Sequence, residues 1–173
     1  TPAWPLPKLF RLTKGGKVQR AIFEGETINT PSMLALEDYL DALAWAERIG
    51  GAKALMARAD ANAKVIYDWV ERTPWIASLA VDPKTRSNTS VCLRFVDPTL
   101  TALPVEAQAA FAKSGSGLLE KEGVAMDAGY YRDAPPGLRI WTGSTIDVSD
   151  VQLLVPWIEW AYAEARASLA KAA

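Results

Sequence analysis

The chain has 173 residues, of which 50% are hydrophobic and 23% charged, and 19 basic against 20 acidic side chains leave a net charge of −1. This length suffices for one compact domain, and the near balance of charge argues against a nucleic-acid partner. No apolar run is long enough to cross a bilayer, so we expect a soluble protein without a membrane partner. The absence of histidine excludes Ser-His catalysis and histidine-bearing zinc sites, and the single cysteine, Cys92, excludes an internal disulfide.

The N-terminal part of the sequence predicts an irregular connector followed by a helix. Residues 1–8 contain three prolines and favour an extended path, and residues 12–17 form a basic, glycine-containing turn. Residues 18–23 fit either a strand or a loop. Thr30 and Pro31 are typical of a helix start, because a hydroxyl cap precedes a proline at the first helical position.

The remaining sequence predicts a mixture of helices and short strands. Gly50-Gly51 ends the first helix. Further helices are predicted over residues 52–72, over 104–122, and from Asp147 or Ser149 to about residue 170. Segments rich in branched and aromatic residues predict strands over 75–81, 89–95, 124–131 and 138–142. The order lacks the strict alternation of a doubly wound sheet, so the predicted class is α+β, with helices packed on a small, mainly antiparallel sheet.

Three polar segments are candidate sites. Asn29 and Thr30 precede the first predicted helix, where backbone N–H groups attract phosphate, although a plain helix cap fits equally. Arg132 and Arg139 flank a Pro-Pro-Gly turn, and two guanidinium forks there could hold a dianion. A structural salt bridge is the commoner explanation for such arginines. The Arg86-Ser-Asn-Thr-Ser run fits turn capping, and we expect Cys92 to be a core residue rather than a nucleophile.

Several motifs along nearly the whole chain resemble the phosphoserine aminotransferases, of the alphaproteobacterial type. They are TPAWPLPKLFRLTKGG, INTPSM, RSNTSV and APPGLRIW. The resemblance implies the C-terminal part of a fold-type-I pyridoxal-phosphate enzyme related to class V aminotransferases. It also implies that residues 1–31 connect to a cofactor-binding domain and that residues 32–173 form the C-terminal small domain.

The resemblance implies a role for each candidate site residue. The family's Schiff-base lysine lies upstream of this chain, so no catalytic residue is assigned within it. Asn29 and Thr30 match the pair that reaches the phosphate of pyridoxal phosphate across a dimer interface. Arg139 matches the arginine that holds the substrate α-carboxylate. Arg132 falls close to the arginine that meets the substrate phosphate, although Tyr131 stands where better-known members carry histidine.

The implied reaction transfers an amino group from glutamate to 3-phosphohydroxypyruvate, giving 2-oxoglutarate and phosphoserine. The resemblance places it in serine and pyridoxine biosynthesis, in a cytoplasmic homodimer that requires no metal. Two alternatives remain open on the sequence alone. One is a standalone, non-catalytic α+β binding module, and the other is a transaminase of the alanine–glyoxylate type.

Overall fold

The computed structural model describes residues 4–172, which fall into two compact units, Thr1–Arg48 and Ile49–Ala173. Residues 1–3 of the predicted connector and the last residue of the predicted small domain lie outside the described part. The functional division at residue 31 stays a prediction. Among the described residues, no helix combines the length and apolar character needed to span a membrane.

The first unit contains a short hairpin. Strand β1 (Thr13–Lys14) pairs antiparallel with β2 (Lys17–Val18). Gly15 and Gly16 between them have φ values of 58° and 75°, the left-handed backbone that a two-residue turn of this kind requires. A 3-10 helix over Arg20–Phe23 follows, so the segment that fitted either a strand or a loop is a short helical turn.

Helix α1 (Met33–Arg48) completes the first unit and begins later than predicted. The expected start at Thr30 and Pro31 was wrong. Ser32 serves as the cap instead, and its Oγ accepts a 3.4 Å hydrogen bond from the N–H of Ala35.

The second unit packs helices on a three-stranded antiparallel sheet, as the sequence predicted. The strand order is β3-β4-β5, and helix α5 packs against both α2 and α4. The elements of this unit are α2 (Gly51–Arg72), β3 (Ile76–Ser78), β4 (Ser90–Phe95), α3 (Pro98–Thr101), α4 (Val105–Lys121), β5 (Gly137–Trp141) and α5 (Val148–Ala172).

The core lies between the sheet and the long helices. Val91 of the central strand pairs with Ile140, and both side chains are buried. The apolar face of α2 is buried at Ala59, Ile66 and Trp69. The indole N–H of Trp69 donates a 2.9 Å hydrogen bond to a carboxylate oxygen on α5. Burial of the α2 face and of the inner face of the sheet fixes the position of β5, the strand that carries Arg139.

Two strand predictions in this unit need correction. The first predicted strand is limited to β3, three residues long. Residues 124–131 do not form a strand, and Gly129 makes only an isolated antiparallel bridge to Leu138. Asp127 has φ 54°, a left-handed value that interrupts an extended segment. The short helix α3, capped by Asp97, was not predicted.

Gly137 allows β5 to approach β4 closely. A Cβ built on Gly137 would lie 1.9 Å from the carbonyl oxygen of Leu93. Any larger residue would therefore push the strands apart. The glycine of the Pro-Pro-Gly turn thus sets the position of Arg139, two residues further along.

Candidate functional site

Arg139 lies on β5 and faces away from the core. Its neighbours Leu138 and Ile140 are buried, and side chains alternate between the two faces of a strand. The backbone N–H of Arg139 donates a 3.0 Å hydrogen bond to the carbonyl of Ala128. This bond holds residues 127–129 alongside the strand, next to the guanidinium.

The guanidinium of Arg139 is enclosed, and its hydrogen bonds are incomplete. Its Nη2 lies 2.7 Å from Oδ2 of Asp127 and 3.3 Å from the main-chain oxygen of the same residue. Its charged carbon lies 4.4 Å from the centroid of the Tyr131 ring. The Nε atom is buried and has no hydrogen-bond partner among residues 4–172. Only 13% of the side chain is exposed, so this cation depends on nearby acceptors.

A cavity of about 490 Å³ lies beside this arginine. Its lining combines apolar side chains of the loop before β5 and of α5 with Arg139 and the carboxylates of Asp127 and Asp150. A mostly apolar cavity with a few convergent polar groups is typical of a small-molecule site. The buried guanidinium is suited to a carboxylate, which its planar fork binds at two points.

Arg132 lies elsewhere. It is exposed and lines a different cavity of about 420 Å³, together with Lys113, Ser116 and Tyr130. The described chain therefore does not bring Arg132 and Arg139 to one cavity, although one turn separates them in sequence. The two cations at this cavity, Lys113 and Arg132, are suited to a phosphate group.

Asn29 and Thr30 belong to the first unit, whereas both arginines belong to the second. Their side chains are exposed, in the bend that precedes α1. Neither side chain makes a hydrogen bond within the described residues, so the amide and the hydroxyl are available as donors. This donor chemistry fits a phosphate. The helix start itself lies at Ser32, so the phosphate attraction expected from the helix end does not act at Thr30 directly.

The Arg86-Ser-Asn-Thr-Ser run has the capping role expected of it. The Oγ atom of Ser87 accepts hydrogen bonds from the N–H groups of Thr89 and Ser90, at 3.2 and 3.1 Å. The main-chain oxygen of Asn88 accepts a 2.9 Å hydrogen bond from the buried hydroxyl of Thr142. The run thus ties the start of β4 to the residue that follows β5, and supports the strand that carries Arg139.

A second buried polar network lies away from both cavities. Tyr162 of α5 donates a hydrogen bond to Asp97, Thr99 donates two more, and Arg166 lies 3.6 Å from the same carboxylate. Burial alone would raise the pKa of Asp97, but these hydrogen bonds and the cation outweigh it and lower the pKa to about 2. Burial and the hydrogen bond to Asp97 raise the pKa of Tyr162. The network joins α3 to α5 and has a structural role.

Sequence reasoning missed the two neighbours that define the arginine site. Asp127 and Tyr131 contact Arg139 through side chains, from positions 12 and 8 residues earlier in the chain. These contacts depend on the bridge between Gly129 and Leu138, which brings the loop back onto the strand. In the sequence, only the predicted turn between residues 124–131 and 138–142 indicated that these two segments lie side by side. Within residues 4–172, no group of three or more acidic, cysteine or histidine side chains could hold a metal ion.

Comparisons with known proteins agree on one family. The chain is 54% identical over 162 residues to phosphoserine aminotransferase from Methanosarcina barkeri, and 52% identical over 162 residues to that from Methanosarcina mazei. Each match covers 94% of this chain and 41% of the relative, so the chain spans about two fifths of the curated relatives' length. No family model matches the chain.

The fold also matches a solved member of that family. A structure of PLP-bound phosphoserine aminotransferase from Trichomonas vaginalis superposes with a TM-score of 0.62 at 20% identity. The match covers 80% of this chain and 36% of the solved one. At this identity, the superposition supports the α+β fold, with helices packed on a small antiparallel sheet. Together with the sequence matches, it shows that the chain is homologous to the C-terminal part of phosphoserine aminotransferases.

Proposed function

We propose that the protein containing this sequence is a pyridoxal-phosphate-dependent aminotransferase that moves an amino group from glutamate to 3-phosphohydroxypyruvate. The products are 2-oxoglutarate and phosphoserine, in serine biosynthesis and, through a related step, in pyridoxine biosynthesis. Residues 1–31 are the connecting segment and residues 32–173 the C-terminal small domain. The protein acts as a cytoplasmic homodimer. Support comes from the 54% and 52% identity to two phosphoserine aminotransferases.

The geometry of Arg139 carries the proposal within this chain. Its guanidinium is mostly buried beside a cavity, and its buried Nε lacks a hydrogen-bond partner in the described chain. A substrate carboxylate at this position would complete the hydrogen bonding of the cation. All four reactants, the two amino acids and the two oxo acids, carry a carboxylate next to the reacting carbon. Arg139 is therefore assigned to hold that group and to orient the substrate.

The cofactor role falls to Asn29 and Thr30. Both side chains are exposed donors without partners among the described residues, which is compatible with binding the phosphate of pyridoxal phosphate in a partner subunit. When bound, pyridoxal phosphate supplies the electron sink that the reaction needs. The covalent lysine is assigned to a part of the protein that precedes this sequence.

The cavity at Arg132 is assigned to the phosphate of phosphoserine and of 3-phosphohydroxypyruvate. Lys113 lines it as well, so two cationic side chains could donate hydrogen bonds to one phosphate. The assignment rests on the resemblance, because Arg132 and Arg139 line different cavities in the described chain. A substrate without phosphate, such as glutamate, needs only the Arg139 surface.

The direct test is an assay of the intact protein with pyridoxal phosphate, glutamate and 3-phosphohydroxypyruvate. Formation of 2-oxoglutarate and phosphoserine in equal amounts supports the proposal. A parallel assay with alanine and glyoxylate tests the alternative that the protein is a transaminase of the alanine–glyoxylate type. Turnover of alanine and glyoxylate alone would assign the protein to that branch. Binding of ligands without turnover of either pair would favour the non-catalytic module.

A further inference from the structure

The ion pair between Arg139 and Asp127 is asymmetric in burial. Only 13% of the arginine side chain is exposed, whereas 85% of the aspartate side chain is exposed. Withdrawal of the carboxylate from the pair would cost Asp127 little, because water can solvate it where it stands. The same withdrawal would leave Arg139 a mostly buried cation without an anion. The arginine therefore needs a partner, but the aspartate does not.

The backbone supports a movable carboxylate. Asp127 has φ 54° and is the one non-glycine residue with positive φ in the described part of the chain. Aspartate and asparagine tolerate this conformation better than most residues. The residue lies in a loop without strand pairing of its own, where only the neighbouring Ala128 and Gly129 are tied to β5. Its side chain can therefore turn toward solvent without disturbing the sheet.

Asp127 uses only part of the binding capacity of the guanidinium. Both of its contacts go to Nη2, while the buried Nε is left without a partner in the described chain. A bidentate carboxylate would bond two nitrogen atoms of the fork at once. An incoming ligand carboxylate could thus satisfy Arg139 more fully than Asp127 does. Because Nη2 is shared, the two carboxylates compete for it.

We propose that Asp127 is a positioning residue that occupies Arg139 in the ligand-free protein and is displaced by the carboxylate of the substrate. This inference rests on the proposed carboxylate role of Arg139. In the absence of ligand, Asp127 neutralises the cation and keeps the fork oriented. On binding, the carboxylate of Asp127 moves into water and the ligand carboxylate replaces it. Asp127 thereby lowers the affinity for every carboxylate ligand of this cavity while stabilising the free protein.

The substitution Asp127→Asn tests the exchange in the intact protein, with glutarate as the probe. Asparagine keeps an acceptor oxygen and tolerates the left-handed backbone, but it removes the competing charge. We expect the melting temperature without ligand to fall and the dissociation constant of glutarate to fall by about two- to fivefold, the range of a partly exposed ion pair. If Asp127 only held the guanidinium of Arg139 in place, Asp127→Asn would instead raise the dissociation constant of glutarate. Glutarate binding unchanged within twofold, or weaker, would overturn the inference.

Asp133→Asn is the matched control. Asp133 is an exposed aspartate nearby in sequence that makes no ion pair within residues 4–172, so its loss changes the net charge equally. It should leave glutarate binding unchanged within twofold. An equal gain in Asp133→Asn would assign the effect to net charge and contradict the proposal.

A measurement on the unsubstituted protein covers the case in which the variant fails to fold. On titration with glutarate, the side-chain carboxyl ¹³C resonance of Asp127 should move toward the value of a solvated aspartate. An unmoved resonance at saturating glutarate would contradict displacement. Neither readout requires amino transfer. If the protein transaminates but glutarate does not displace Asp127, the proposed function stands and only this inference is refuted. If glutarate displaces Asp127 but no amino transfer occurs, this inference stands and the proposed function is refuted.

Discussion

The guanidinium of Arg139 lies over the ring of Tyr131, 4.4 Å from the ring centroid. Such stacking fixes the plane of the fork, because a cation is attracted to the face of an aromatic ring. Tyr131 stands where better-known phosphoserine aminotransferases carry histidine, by the resemblance described above. In this chain the ring supports the arginine that faces the cavity. The hydroxyl group is not needed for that contact.

Two substitutions of Tyr131 distinguish the contribution of its ring from that of its hydroxyl group. Tyr131→Ala should lower kcat/KM for glutamate by about two- to fivefold, because an exposed cation–π contact contributes roughly 0.5 to 1 kcal/mol. Tyr131→Phe keeps the ring and should stay close to the unsubstituted protein. Steady-state kinetics on the intact protein check both. An equal loss in the two variants would mean that the hydroxyl group, rather than stacking, matters.

Asn29 and Thr30 should affect retention of the cofactor. Each alanine substitution removes one hydrogen bond to a charged phosphate, worth roughly 1.5 to 3 kcal/mol. We therefore expect the dissociation constant of pyridoxal phosphate to rise about tenfold or more, with little change in KM for glutamate. Equilibrium dialysis of the intact protein measures the first quantity. Cofactor affinity unchanged within twofold in both variants would count against the phosphate role.

The Asp97 network should make stability depend on pH in the acid range. The pKa of Asp97 is about 2 in the folded protein, below the ordinary value near 3.8. A lowered folded-state pKa gives a stabilisation that is complete above about pH 5 and is lost as the pH falls through the folded pKa of about 2. Asp97→Asn should destabilise the protein by about 2 kcal/mol at pH 7, because Tyr162 and Arg166 lose a charged partner.

Urea unfolding of both proteins between pH 2 and 7 tests this dependence. The difference in unfolding free energy between the unsubstituted protein and Asp97→Asn should shrink below pH 4. A constant difference over the whole range would show that the charge of Asp97 contributes nothing. Asp133→Asn, which removes an exposed aspartate, should show no such trend.

Two glycine-to-alanine substitutions should change the free energy of unfolding in opposite directions. Gly137→Ala places a Cβ 1.9 Å from the main-chain oxygen of Leu93, so β4 and β5 must move apart. We expect a loss of about 1 to 3 kcal/mol or more. Gly117 lies in α4 with no heavy atom within 4 Å of a built Cβ. Gly117→Ala should stabilise by roughly 0.5 to 1 kcal/mol, as in other helix interiors. Thermal unfolding that shows the same sign for both would contradict this account of the turn.

The sequence predicted the helices well where hydrophobic spacing was sustained, and less well where capping decided the boundary. Thr30-Pro31 and Asp97-Pro98 are the same signal, a capping residue followed by proline. A helix begins at Pro98 but not at Pro31, because Ser32, two residues after Thr30, offers a competing cap. A short window of sequence does not rank two caps that lie so close together.

The sequence predicted Arg139 of the candidate site but not its contact with Asp127. The motif around Pro-Pro-Gly identified Arg139, and its strand position followed from the branched and aromatic composition of residues 138–142. Asp127 lies in a segment whose composition resembles a strand, but its left-handed backbone turns the chain. The ion pair depends on that turn and on the bridge at Gly129. Such contacts between distant segments are set by the folded loop rather than by local propensity.

In the proposed function, Arg139 holds the carboxylate common to both amino-acid substrates. Arg139→Lys in the intact protein tests it most directly, with the two half-reactions followed separately for glutamate and phosphoserine. Lysine keeps the charge but loses the two-point fork, so kcat/KM should fall by about ten- to a hundredfold for both substrates. Arg132→Lys is the control and should impair phosphoserine selectively. Full activity of Arg139→Lys, or a loss confined to phosphoserine, would contradict the assignment.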